Sequence, residues 1–157
     1  MILGTHTIST PEDMHQLGLD LGAELRAGDV LVLTGPLGAG KTTLTRGIGE
    51  GLQVRGPVTS PTFVLARTHP SLVGGAPLVH VDAYRLNDAM ELDDLDIDFP
   101  RSVVVVEWGA GLIEELVDSW LEVVIHRPEG AQAGELGDEL VEPRQAVITG
   151  HGPRWSA

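Results

Sequence analysis

Gly35-Pro36-Leu37-Gly38-Ala39-Gly40-Lys41-Thr42 constrains this chain more than any other stretch. It fits the pattern G-x-x-x-x-G-K-[ST], a loop that wraps a phosphate chain only when a strand feeds it and a helix leaves it. Both flanks are present. Val30-Leu31-Val32-Leu33-Thr34 is a nearly continuous aliphatic run, the pattern of a strand covered on both faces. Lys41 to about Leu52 reads as a helix. Its glycines at 47, 49 and 51 each cost about 1 kcal/mol relative to alanine, so either close packing compensates or the helix frays early.

The chemistry explains the spacing. Glycines let successive backbone N–H groups point inward as an anion nest, and the helix adds its first N–H groups and the positive end of its dipole. Lys41 is placed to reach the β- and γ-phosphates of a nucleoside triphosphate, and the Thr42 hydroxyl to ligate Mg²⁺. Lys41 is the sole lysine; every other cation is an arginine. A chain that otherwise dispenses with lysine keeps one where arginine's planar fork would not do the same work.

The remaining elements alternate. Thr10 or Ser9 can serve as the N-cap of a helix with Pro11 at its first position, and Met14, Leu17, Leu21 and Leu25 form its buried stripe. What precedes it reads as a short lead-in. Val54–Ser71 holds Pro57, Pro61 and Pro70 and reads as a loop with at most a short strand at Thr62–Ala66. Leu78–Asp82 and Ser102–Glu107 are strands, and Trp120–His126 and Arg144–Thr149 an antiparallel pair. The expected fold is α/β, a three-layer arrangement like that of P-loop nucleotidases, with a mixed, mainly parallel central sheet and a β-rich C-terminal end. Residues 1–157 are expected to form one domain with its core at about 8–127, a mobile connector at 128–143 and a terminal strand at 144–149.

Composition removes whole classes. Hydrophobic residues make up 42% of the chain, too many for disorder. The longest strictly aliphatic runs, Val30–Leu33 and Val103–Val106, fall far short of the roughly 18 apolar residues that cross a bilayer. The N-terminus shows no secretory pattern, so a cytoplasmic protein without membrane partners is expected. With no cysteine, disulfides, thiolate catalysis and Cys-ligated metals are excluded. Ten Lys+Arg against 23 Asp+Glu give a net charge of −13, which leaves little material for a basic stripe on DNA or RNA.

A phosphate loop alone hydrolyses nothing; Mg²⁺ needs an acidic neighbour and a water must be oriented. In open α/β sheets ligands lie at the carboxyl ends of strands, and two strands end in an acid, Asp82 and Glu107. His80 shares a strand face with Asp82, as a residue that steadies it or as a core histidine. Guanine recognition by N-K-x-D is excluded, because the single lysine is already used. Asp94, Asp96 and Asp98 mimic the start of a calcium loop, but Phe99-Pro100 stands where its glycine belongs.

Taken in order, GPLGAGKTTLTRGI (Gly35–Ile48), TSPTF (Thr59–Phe63), HVDAYRL (His80–Leu86), Glu91-Leu92 and VVEWG (Val105–Gly109) resemble the bacterial TsaE (YjeE) ATPases, over about residues 8–127. The resemblance implies an ATPase that acts with TsaD and TsaB in making threonylcarbamoyladenosine beside the tRNA anticodon, touching tRNA only through those partners. It implies that Gly35, Gly38, Ala39, Gly40, Lys41, Thr42 and Thr43 hold ATP, and that Thr42 and Glu107 ligate Mg²⁺. Asp82 is then the acid needed for hydrolysis, by positioning water or holding the metal through water. Ser60-Pro61-Thr62 becomes a switch-like loop near the γ-phosphate, Trp108 lies beside the site, and Ser9–Glu12, with Thr10, helps hold the base. Tyr84 and Arg85 are further candidates for contact with nucleotide or partner. Two departures from the family's usual wording, Pro36 in the loop and Val81 and Ala83 around Asp82, leave the polar groups intact. Two rival classes are a small-molecule kinase and a nucleotide sensor that does not hydrolyse. Between Leu52 and Leu78 there is no room for a kinase's acceptor insertion and lid, and intact Asp82 and Glu107 oppose the sensor.

Overall fold

Four consecutive aliphatic side chains, Val30–Leu33, are buried completely only in the middle of a sheet with cover on both sides, and the structure places them there. The structure is a computed structural model that describes residues 3–35, 40–54, 66–82, 90, 97–107, 112–126 and 144–155. In chain order the elements are β1 (Gly4–Ile8), α1 (Pro11–Glu24), β2 (Val30–Thr34), α2 (Lys41–Leu52), β3 (Ala66–His69), β4 (Leu78–Asp82), β5 (Val103–Glu107), β6 (Trp120–His126) and β7 (Arg144–His151). Short 3₁₀ turns lie at Phe99–Arg101, Ile113–Glu115 and Pro153–Trp155.

The strands form one seven-stranded sheet in the order β1-β7-β6-β2-β5-β4-β3. Its middle, β6-β2-β5-β4, is parallel, and both flanks are antiparallel. The four central strands therefore share one carboxyl-terminal edge, where Thr34, Asp82, Glu107 and His126 lie. Leu31, Leu33, Val103, Val105, Leu121 and Val123 face one way and pack beneath α1 and α2. Val30, Val32, Val79, Val81, Val104 and Val106 face the other way, covered by Ile113 and by partly buried Ile97, Phe99, Leu112 and Leu116. No helix among the described residues is long and apolar enough to cross a membrane.

α1 begins as its sequence requires: Thr10 Oγ1 accepts from Asp13 N at 3.1 Å, the Ser9 N–H donates to the Asp13 carboxylate at 3.1 Å, and Pro11 opens the helix. The glycines of α2 are explained by close packing. A methyl group on Gly47 would lie 2.5 Å from His15 O and 3.0 Å from Gly18 Cα, and one on Gly18 would lie 2.4 Å from Leu44 O. One turn on, Gly22 and Gly51 repeat the contact. The two helices thus run parallel with their backbones touching, which no side chain larger than hydrogen permits.

Three features differ from expectation. The lead-in contains β1, whose GTHTI sequence has only Ile8 buried; an edge strand shows no alternation because nothing covers most of it. β3 is described at 66–69, later than the Thr62–Ala66 estimate, of which residues 62–65 lie outside the described residues. β7 continues two residues past Thr149, held by Trp120 stacking on His151 with ring centroids 4.8 Å apart. Beyond it, Arg154 donates to both oxygens of buried Asp29, at 3.0 and 3.3 Å, tying the end of the chain to the start of β2. The connector 128–143 lies outside the described residues.

The glycine contact sets a stability test. Gly18→Ala or Gly47→Ala is expected to destabilise the fold by about 1–3 kcal/mol through overpacking, despite alanine's better helix propensity. Gly75→Ala, whose added methyl would meet only Ser71 Oγ at 3.5 Å, should be near neutral. Urea denaturation midpoints compare the three.

Candidate functional site

Gly35 leaves β2 buried, and Gly40 starts α2 with φ +110°, a left-handed conformation that only glycine adopts readily. Met14 of α1 seals its other side: a methyl group on Gly40 would stand 2.9 Å from Met14 Cε. The next residue, Lys41, is buried, and its Nζ donates to Gly35 O at 2.7 Å. The ammonium therefore ties the first residue of α2 back to the end of β2, bridging the two ends of the glycine loop. Burial pushes the Lys41 amine below the ordinary lysine range, opposed by the Glu107 and then the Asp82 carboxylates, which favour its charged form. Thr42 and Thr43 are half-buried on the first turn of α2. Thr45, fully buried one turn on, donates its hydroxyl to Lys41 O at 2.8 Å and stays within the helix.

Parallel pairing brings the acids together. Glu107 stands opposite Leu33 on one side and Asp82 on the other, so both carboxylates lie on the same sheet face as α2. Glu107 is buried and Asp82 half-buried. His80, fully buried, donates from Nε2 to Glu107 Oε2 at 2.5 Å. A carboxylate only accepts, so Nε2 carries the hydrogen. His80 thus steadies Glu107, not its strand neighbour Asp82, because across paired parallel strands the diagonal neighbour is within reach of long side chains.

These groups could hold a phosphate chain and its metal. Lys41 supplies a desolvated cation; Thr42, Glu107 and Asp82 supply hard oxygen donors, which suit Mg²⁺. Among the described residues, no group of three His, Asp or Glu forms a self-contained metal cage. Of the residues read from sequence, the structure gathers Gly35, Gly40, Lys41, Thr42, Thr43, Asp82 and Glu107 at one sheet edge. Thr10 lies at that same edge, two residues past the end of β1, with its oxygen engaged in the helix cap. Gly38, Ala39, Ser60, Thr62, Trp108, Tyr84 and Arg85 lie outside the described residues. Arg144 at the start of β7 was not anticipated; no local pattern marks a residue brought there by long-range strand pairing.

Comparison with known proteins settles the family. Residues 8–134 match the family model "Threonylcarbamoyl adenosine biosynthesis protein TsaE". The chain belongs to the TsaE family. It is 56% identical over 146 residues to the tRNA threonylcarbamoyladenosine biosynthesis protein TsaE of Streptomyces coelicolor, covering 91% of this chain and 94% of that one. The TsaE proteins of Mycobacterium tuberculosis and Bacillus subtilis are 53% and 40% identical, covering 79% and 74% of this chain and 79% and 73% of theirs. The crystal structure of Bacillus subtilis YdiB superposes with a TM-score of 0.69 at 30% identity, covering 96% of this chain and 86% of that one. Fold and family agree: this is a TsaE-family chain with a P-loop-like fold.

His80→Leu removes the donor from a buried carboxylate and is expected to lower stability by about 1–3 kcal/mol. His80→Gln, which restores an N–H, should recover most of it. Chemical denaturation of the two variants beside the parent makes the comparison.

Proposed function

We propose that this chain binds ATP with Mg²⁺ at the edge formed by β2, β4 and β5 and hydrolyses it, as the ATPase component of tRNA threonylcarbamoyladenosine biosynthesis. The observation that carries the reading is Lys41: a buried ammonium at the start of α2, bonded to Gly35 O, with Glu107 and Asp82 as its charged neighbours. A protein interior tolerates such a group when phosphate oxygens are its intended partner.

In this reading the Lys41 ammonium exchanges Gly35 O for oxygens of the β- and γ-phosphates. The backbone around Gly38, Ala39 and Gly40, together with Thr43, would hold the phosphate chain, with Ser60 and Thr62 in a switch-like loop near its γ end and Trp108 beside the site. Thr42 and Glu107 would hold Mg²⁺, which when bound draws charge off the terminal phosphates. Asp82 is the acid left to orient water, directly or through the metal's hydration shell. Water attacks the γ-phosphorus as the bond to the β–γ bridging oxygen breaks, and ADP and phosphate leave. Turnover of the isolated chain should be slow, because no obvious arginine finger follows the Ser60-Pro61-Thr62 segment in the sequence, and hydrolysis would depend on TsaD and TsaB, which would hold the tRNA. A net charge of −13 suits docking on protein rather than on nucleic acid.

Lys41→Ala is expected to weaken ATP binding by about 100-fold or more, the loss of a charge-assisted contact to several oxygens. Asp82→Ala and Glu107→Ala should keep measurable binding and lose about 10²–10⁴-fold in hydrolysis. Calorimetry and a phosphate-release assay separate the two effects; unchanged turnover in both carboxylate variants would discard the assignment. Depletion of the protein in its source organism should lower threonylcarbamoyladenosine in hydrolysed tRNA, and normal levels would remove the pathway assignment.

A further inference from the structure

Among the described residues, Arg144 is a cation at this edge to which the ATP reading gives no role. Arg144 opens β7, opposite Ile8 at the end of β1, and the adjacent Gln145 pairs with His126 at the end of β6. Since β6 runs parallel to β2, all three positions lie at the edge where the glycine loop begins. Strand alternation puts Arg144 on the same face as Ala146 and Ile148, which belong to the core beneath α1 and α2. The guanidinium reaches Gly40: a methyl group placed there would lie 3.6 Å from Arg144 Nη1. A half-buried second cation is therefore packed against the residue at which the loop becomes α2.

The two flanks of β2 carry opposite charge at this edge. Glu107 and Asp82 lie towards β5 and β4, and Arg144 lies towards β6 and β7. Glu107, beside Asp82, would hold the metal that offsets the charge of the terminal phosphates, which would place the γ end at the carboxylate flank. The α-phosphate and ribose would then lie over Gly40 and the first turn of α2, towards the arginine. Thr10 is also on this flank, two residues after Ile8, the register partner of Arg144.

We propose that Arg144 is a nucleotide-binding residue holding the α-phosphate and ribose end, so that the last strand completes a site otherwise built from β2, α2, β4 and β5. The assignment rests on the ATP reading above. It differs from a cation acting on the γ-phosphate, because ADP and ATP share the end that Arg144 faces.

The experiment uses the full chain with Arg144→Gln and Arg144→Lys, measuring ADP and ATP affinity by calorimetry, KM and kcat for hydrolysis, and thermal unfolding. Arg144→Gln is expected to weaken ADP and ATP by the same factor, about 10- to 100-fold, raising KM while kcat falls far less. Arg144→Lys, with the charge but not the planar fork, should recover part of the affinity and serves as the folded comparison if the glutamine variant unfolds. Unchanged affinity in either folded variant overturns the assignment, as does a loss confined to ATP with collapse of kcat. A parent chain that binds neither nucleotide overturns the ATP reading and this assignment together; a parent that binds both beside unaffected variants overturns this assignment alone.

Discussion

Burying an ammonium is strongly unfavourable unless oxygens surround it, and housing Lys41 organises the rest of this molecule. Its Nζ bonds the carbonyl of Gly35, which requires α2 to begin directly beyond the end of β2. The carboxylates that oppose the effect of burial come from β5 and β4, so both strands must run parallel to β2 and end level with it. An antiparallel neighbour in either place would deliver its acid to the far edge. The parallel centre of the sheet and the gathering of Lys41, Glu107 and Asp82 are thus one constraint seen at two scales.

A second constraint acts on the helix layer. α1 and α2 touch backbone to backbone along Gly18, Gly22, Gly47 and Gly51, so α1 sits low enough for Met14 to press on Gly40. The same placement brings the end of β1, and with it Thr10, to the edge that α2 leaves. β7 pairs with both β1 and β6 and carries Arg144 to that edge. Close helix packing and the antiparallel flank together give the site a third wall, opposite the two acids.

Charge distribution separates the site from the chain as a whole. The molecule carries a net charge of −13, yet at the carboxyl edge of its sheet it concentrates Lys41 and Arg144 around one glycine. Glu107 and Asp82 face these two cations across β2, so the edge is of mixed charge within an acidic body.

β2, α2, β4 and β5 were all legible in the sequence, because each signal is local: a fixed glycine–lysine spacing ahead of a helix, aliphatic runs buried on two faces, and acids at strand ends. The family resemblance rested on the same short motifs. Other features depend on residues far apart in the chain, and no window of sequence contains them. β1 is a strand only because β7, more than a hundred positions later, supplies its hydrogen bonds. The glycines of α2 looked like helix defects until α1 lay against them, and His80 faced either Asp82 or the core until strand register gave it Glu107. Local sequence determined which elements form and which chemistry they carry; only tertiary pairing decided which distant side chains share that chemistry, since contact across a sheet or between helices depends on register and approach distance.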